Sequence, residues 1–213
     1  MTKPGRTLIA ALLDRSGSMQ SIRTDTEGGF DAFVEAQRAE PGEVLVTLAQ
    51  FDDRYDAVYS ERPVADVPAL QLEPRGTTAL LDAIGRLVTD VGAELAARPE
   101  PERPSKVIVM VMTDGHENAS TEWTPAAIRA LITQQEQTYG WEFLFLGANI
   151  DAVTVGQHLG FDAARSLTYG ASGPGVRGAY HAVAAYASRS MAAPGAPAAG
   201  FSDAERQGAA PTT

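Results

Sequence analysis

The sequence contains no cysteine. Disulfides and thiolate metal sites are therefore excluded, and nothing marks an oxidising compartment. Histidine is scarce, three in 213 residues, and no two stand at metal-ligand spacing, which argues against a zinc-type site. Positive charge is in deficit: the formal net charge is -10, a field that repels phosphate backbones and anionic lipid surfaces. Neither nucleic-acid nor membrane binding is expected. Long apolar runs are missing as well. The run from Leu8 to Leu13 follows Lys3 and Arg6 like a short leader but ends at once in Asp14, and no stretch approaches the roughly eighteen apolar residues of a membrane span. The expectation is a cytoplasmic protein.

What is present is ordinary for a folded body: 44% hydrophobic and 21% charged residues, in a length that suits one domain with a short appendage. Apolar runs at 7–13, 44–51, 106–113 and 141–147 have strand length. Val107-Ile108-Val109-Met110-Val111-Met112 leaves no polar face, as a parallel strand covered on both sides requires. Helical spacing lies between them. Leu80, Leu81, Ile84, Leu87, Val88, Val91 and Leu95 share one face. Thr124-Pro125 reads as an N-cap with proline in the first turn, and Gly140 as the stop. A helix over 22–39 is interrupted by Gly28 and Gly29, and Val176, Tyr180, Val183, Ala184 and Ala187 predict a last helix.

This order predicts an α/β fold: a doubly wound, mostly parallel sheet with helices on both faces. Asp52-Asp53-Arg54 reads as a hairpin turn that adds one antiparallel edge strand over 55–59. Residues 98–104 read as a surface connector. The domain is expected to span residues 1–191, with 192–213, rich in Ala, Pro and Gly, as a disordered C-terminal tail.

The first strand ends in Asp14-Arg15-Ser16-Gly17-Ser18, bringing a carboxylate and two hydroxyls to the carboxyl edge of the sheet, where open α/β sheets bind ligands. Gly17 lets the two serine oxygens converge. Asp114-Gly115 closes the 106–113 strand at the same edge, and Arg75-Gly76-Thr77-Thr78 precedes the best helix, so a threonine hydroxyl can complete the cluster. Hard oxygen donors of this type suit Mg²⁺, with Mn²⁺ and Ca²⁺ as alternatives.

Asp-x-Ser-x-Ser, Gly-Thr-Thr before Ala-Leu-Leu-Asp-Ala-Ile, and Thr-Asp-Gly occur in the order that resembles the metal-ion-dependent adhesion site of von Willebrand factor A domains. The stretch Phe145-Leu146-Gly147-Ala148-Asn149-Ile150-Asp151-Ala152 resembles a subset of small bacterial intracellular members. The resemblance implies metal ligands Asp14, Ser16, Ser18, Thr78 and Asp114. Thr77 competes with Thr78, which is preferred because family members carry glycine at the place of Thr77. Two carboxylates cancel a 2+ ion, and an Asp or Glu from a protein partner can replace its outward water.

The function expected is a noncatalytic, metal-dependent docking module of a bacterial-type cell. The alternatives are a Mg²⁺-dependent phosphoryl-transfer or hydrolytic enzyme using Asp14 as nucleophile, and a scaffold in which the metal is only structural. His116, Glu117 and Asn118 are candidates for a rim read by the partner, or are simply solvated loop residues. Asp52 and Asp53 could approach the same edge, yet a hairpin turn explains them without metal, and Asp82, among core-facing leucines, can point outward on its helix.

Overall fold

A computed structural model describes residues 2–193 and 195–211. Its centre is β1 (Lys3–Asp14), whose last seven residues before the site, Leu8 to Asp14, are fully buried. Side chains alternate across the strand, so Ile9, Ala11 and Leu13 enter one core while Leu8, Ala10 and Leu12 enter the other. A strand between two cores has no use for polar residues, which is why its sequence shows a continuous run.

From β1 the chain crosses through α1 (Arg23–Arg38) to β2 (Glu43–Phe51), turns tightly into β3 (Tyr55–Pro63), and reaches α2 (Leu80–Ala97) after an extended stretch. It continues as β4 (Pro104–Thr113), α3 (Pro125–Tyr139), β5 (Glu142–Ala148), α4 (Ala152–Leu159), β6 (Ser166–Tyr169), α5 (Gly173–Ala192) and α6 (Asp203–Ala209). The strands lie in the order β3-β2-β1-β4-β5-β6; all neighbours are parallel except β2 and β3. The antiparallel edge strand is thus where the hairpin signal placed it, though four residues longer at its end than the apolar run suggested.

Helices α1 and α5 pack on the first core and α2 and α3 on the second. The chain leaves β1 toward β2 on one side and enters β4 on the other, so the sheet reverses direction of growth between β1 and β4. At such a switch point the helices diverge and leave a crevice above the strand ends. Leu13 pairs with Met112, which sets Asp14 level with Thr113 at the mouth of that crevice.

The helix signals hold in detail. Thr124 caps α3 by accepting from the Ala127 amide, and Gly140 closes it with φ of 66°, a left-handed value that glycine adopts without strain. Gly29 in α1 is required by packing, since a methyl group there would lie 2.4 Å from the Tyr180 ring of α5.

The expectation of a disordered tail after residue 191 is corrected. Met1, Pro194, Thr212 and Thr213 fall outside the described residues, but the remainder packs on the domain. Phe201 and Ala209 are buried, α6 carries a capping box between Ser202 and Glu205, and the Gly170 amide donates to the Ala209 carbonyl at 2.9 Å. Arg206 donates to the carbonyls of Ala163, Ala164 and Ser166. The Ala- and Gly-rich composition permits this close approach: a methyl group on Gly178 would meet the Gly208 carbonyl at 2.2 Å. Composition suggested disorder where small residues serve contact.

Candidate metal site at the switch point

Asp14 is the anchor. It is completely buried at the end of β1; its Oδ1 accepts from the Ser16 amide at 2.6 Å and its Oδ2 from the Thr113 hydroxyl at 2.6 Å. The chain then enters a short 3₁₀ turn, Gly17–Ile22, whose buried Met19 and Ile22 fix the loop to the core. This holds the Ser16 and Ser18 hydroxyls 3.1 Å apart, and Ser18 donates to Asp114 Oδ1 at 2.7 Å. Four of the five expected side chains therefore form one chain of contacts linking the ends of β1 and β4.

Thr78, the fifth, is buried, whereas Thr77 is exposed. A methyl group built on Gly115 would sit 3.4 Å from Thr78 Oγ1 and 3.9 Å from Ser18 Oγ, so both hydroxyls face the same space beside a residue with no side chain. The Thr78 amide donates to Asn118 Oδ1 at 2.9 Å and its carbonyl accepts from the Asn118 amide at 3.0 Å.

The residues after Asp114 bind the start of α2. Glu117 accepts from the amides of Leu81, Ala119 and Ser120. Asp82, rather than pointing out to solvent, accepts from the amides of Thr121, Glu122 and Trp123. A helix start leaves amides without intrahelical partners, and Glu117 satisfies that of Leu81, while Asp82 in turn ties the 121–123 loop to the same end of α2. Glu117 and Asn118 thus have an architectural role, while His116 is exposed.

Burial raises the Asp14 carboxyl to about 6, against the hydrogen bonds from Thr113 and Ser16 that favour its anion; the nearby Asp114 charge adds to the rise. Burial also raises Asp114, opposed by the Ser18 hydroxyl. Arg15 does not neutralise them, because its guanidinium turns away to Asp52 and Asp56. Two carboxylates that pair with no cationic side chain among the described residues, with three hydroxyls converging beside them, fit a hard divalent cation. Among the described residues no three Asp, Glu, His or Cys side chains form a metal cluster, so any ion here depends on the serine and threonine oxygens.

Two residues have roles that the sequence did not reveal. Thr113 anchors Asp14, and its only signal was its place in Thr-Asp-Gly. Asp52 is fully buried beneath Arg15 and Arg75, which a hairpin role did not foreshadow.

Comparison with family models and with curated proteins found no match to this sequence. Solved structures do match. Proximal thread matrix protein 1 from the mussel byssus is 17% identical over 85% of this chain, with a TM-score of 0.59; the same protein described with a zinc-occupied MIDAS motif gives 0.61 at 16% identity over 87%. A von Willebrand factor type A protein from Catenulispora acidiphila gives 0.58 at 13% identity over 87% of this chain. The present chain spans less than half of those proteins, 46% and 43% of their lengths. The vWF domain of the type V pili tip protein from Porphyromonas gingivalis gives 0.57 at 12% identity, over 87% of this chain and 95% of that domain.

Proposed function

We propose that this chain, which has the von Willebrand factor A fold, is a metal-dependent protein-docking module that holds one divalent cation, Mg²⁺ for choice, through Asp14, Ser16, Ser18, Thr78 and Asp114. The observation that carries the reading is the convergence of these side chains from three loops, distant in sequence, on the space beside Gly115. When bound, the cation supplies a positive centre to which an oxygen ligand from outside can attach. The chain's own residues hold it: Thr113 and the Ser16 amide orient Asp14, and Asn118 fixes Thr78.

Ser18 is exposed and Asp114 half-buried, so the open side of the site faces solvent. The partner chemistry that fits is an Asp or Glu carboxylate on another protein. A noncatalytic role is supported by Asp14 itself, the residue placed for an aspartyl nucleophile: it is fully buried beneath the site, whereas the open side is formed by Ser18 and Asp114. No helix among the described residues is long and apolar enough to cross a membrane. A bacterial, cytoplasmic setting belongs to the same proposal and rests on the arginine-rich, lysine-poor composition and the resemblance to small bacterial members.

The test is calorimetric titration of metal-stripped protein with Mg²⁺, Mn²⁺ and Ca²⁺, alongside Asp14→Ala and Asp114→Ala variants checked for folding. One saturable site lost in both variants is expected. Absence of binding by folded wild-type protein would overturn the reading.

A further inference from the structure

Beside the candidate site lies a second polar cluster that no proposed metal contact uses. Asp52, just after β2, is completely buried. Its Oδ2 accepts from Arg15 Nε at 2.9 Å and from Arg75 Nε at 2.8 Å, and its Oδ1 accepts from the Arg54 amide at 2.7 Å. Arg15 lies between the ligands Asp14 and Ser16, and Arg75 lies three residues before Thr78. One carboxylate therefore joins the two loops that must meet for the hydroxyls to converge.

Backbone contacts follow the same seam. The Arg75 amide donates to the Arg15 carbonyl at 2.8 Å, the Gly17 amide to the Gly76 carbonyl at 3.3 Å, and the Ala79 amide to the Asp52 carbonyl at 2.8 Å. Gly76 takes φ of 67° and packs so closely that a methyl group there would lie 2.8 Å from Asp53 Oδ1. Arg15 is 8% exposed in its side chain and also pairs with Asp56, so the cluster is enclosed at Asp52 and Arg15 and open to solvent at Arg75 and Asp56, 51% and 52% exposed.

A buried carboxylate between two guanidinium groups carries a desolvation cost that well-packed apolar residues would avoid. What charge-assisted hydrogen bonds provide is direction: each guanidinium gives its Nε–H to Asp52 Oδ2 and turns an amino group toward Asp56, so its plane is set by two carboxylates at once. Here the directions set the residue 73–79 segment against the residue 14–18 loop.

We propose that Asp52 is a positioning residue for the site, its ion pairs with Arg15 and Arg75 holding the Thr78 loop in register with the Ser16–Ser18 loop. The inference rests on the ligand reading above for its meaning, but the clamp exists in the metal-free protein and is tested there.

The experiment compares wild type with Asp52→Asn, which removes the charge at constant shape, and Arg75→Gln, at a half-exposed position where folding is retained. Amide hydrogen exchange is followed without metal, and Mg²⁺ affinity is then measured by calorimetry. Exchange at Gly17, Arg75 and Ala79 is expected to quicken about tenfold or more in both variants while the interior amides of β1 and β4 keep wild-type rates. Mg²⁺ binding should weaken by about 10- to 100-fold, as for residues that orient metal ligands.

Wild-type exchange at those three amides in Arg75→Gln would overturn the inference. So would equal quickening in the strands, which would mark a general loss of stability. Should wild type bind no Mg²⁺, the ligand reading fails, and the exchange rates still decide whether the clamp exists.

Discussion

The Thr113 hydroxyl donates to Asp14 Oδ2 at 2.6 Å, so the residue that ends β4 orients the carboxylate that ends β1. Both are fully buried, and the bond lies across the strand pair where the sheet reverses its order. A hydrogen bond to a buried charged group is worth about 1.5–3 kcal/mol, and without it the Ser16 amide alone orients Asp14 toward the ligand space. Thr113→Val should lower stability by about that amount and weaken Mg²⁺ binding by about 10- to 100-fold. Denaturant midpoints and calorimetry check the two effects; wild-type affinity in the variant would show that Asp14 needs no such support.

The elevated Asp14 carboxyl makes metal-free stability depend on pH with a definite sign. Its folded value is about 6 against an ordinary 3.8, so the folded form binds the proton more tightly than the unfolded chain. The stabilisation is fully present below the ordinary value and is lost as pH rises through about 6. The upper bound for such a shift is about 3 kcal/mol. In chelator, wild type should therefore gain stability between pH 7.5 and pH 5 relative to Asp14→Asn, whose side chain does not titrate. A bound cation reverses the local field, so Mg²⁺-loaded protein should show the opposite trend as protons compete with the ion. Parallel urea midpoints for the two proteins in chelator would contradict the assignment.

Gly115 borders the space between Thr78 and Ser18. A methyl group there makes ordinary contact with the threonine oxygen at 3.4 Å, so Gly115→Ala should fold with little change in stability. It would nevertheless occupy volume a cation needs. Calorimetry should show Mg²⁺ binding reduced at least about tenfold, a loss of about 1.4 kcal/mol. Undiminished affinity would place the ion elsewhere.

The C-terminal segment is expected to be part of the stable unit. Phe201 packs against Tyr186 with ring centroids 5.9 Å apart, and the Arg189 guanidinium pairs with Glu205 at 2.7 Å. Deleting residues 193–213 exposes these partners and removes the bonds that α6 makes to the chain around β6. Burial of one large apolar side chain is worth about 1.5–3 kcal/mol, so thermal denaturation should move down by several degrees in the truncated protein. An unchanged midpoint would mean that the segment rests on the domain without supporting it.

Much of this molecule is legible in its sequence because the signals are local. A strand buried on both faces must be apolar throughout, so β1, β4 and β5 announce themselves; Thr124, Pro125 and Gly140 mark the ends of α3 through backbone chemistry that needs no distant partner. The Asp-x-Ser-x-Ser, Gly-Thr-Thr and Thr-Asp-Gly segments identified the candidate side chains by type and order. The short β6 and α4 were missed because four and eight residues carry little periodicity. The capping box Ser202–Glu205 was present in the sequence before α6, but the Ala- and Gly-rich composition around it hid the signal.

Tertiary structure alone decided which polar residues face which neighbours. Asp52 in a hairpin turn and Asp52 as a buried bridge between Arg15 and Arg75 have the same sequence, because the arginines reach it only after β1 and β2 pair. Thr77 and Thr78 differ by one position, and the turn into α2, tied down by Asn118, exposes one and buries the other. Sequence determined the alternation of strands and helices and the chemistry available at the sheet edge, since both follow from local pattern. The pairing of those groups was decided by the sheet order, which brings residues about a hundred positions apart within hydrogen-bond distance.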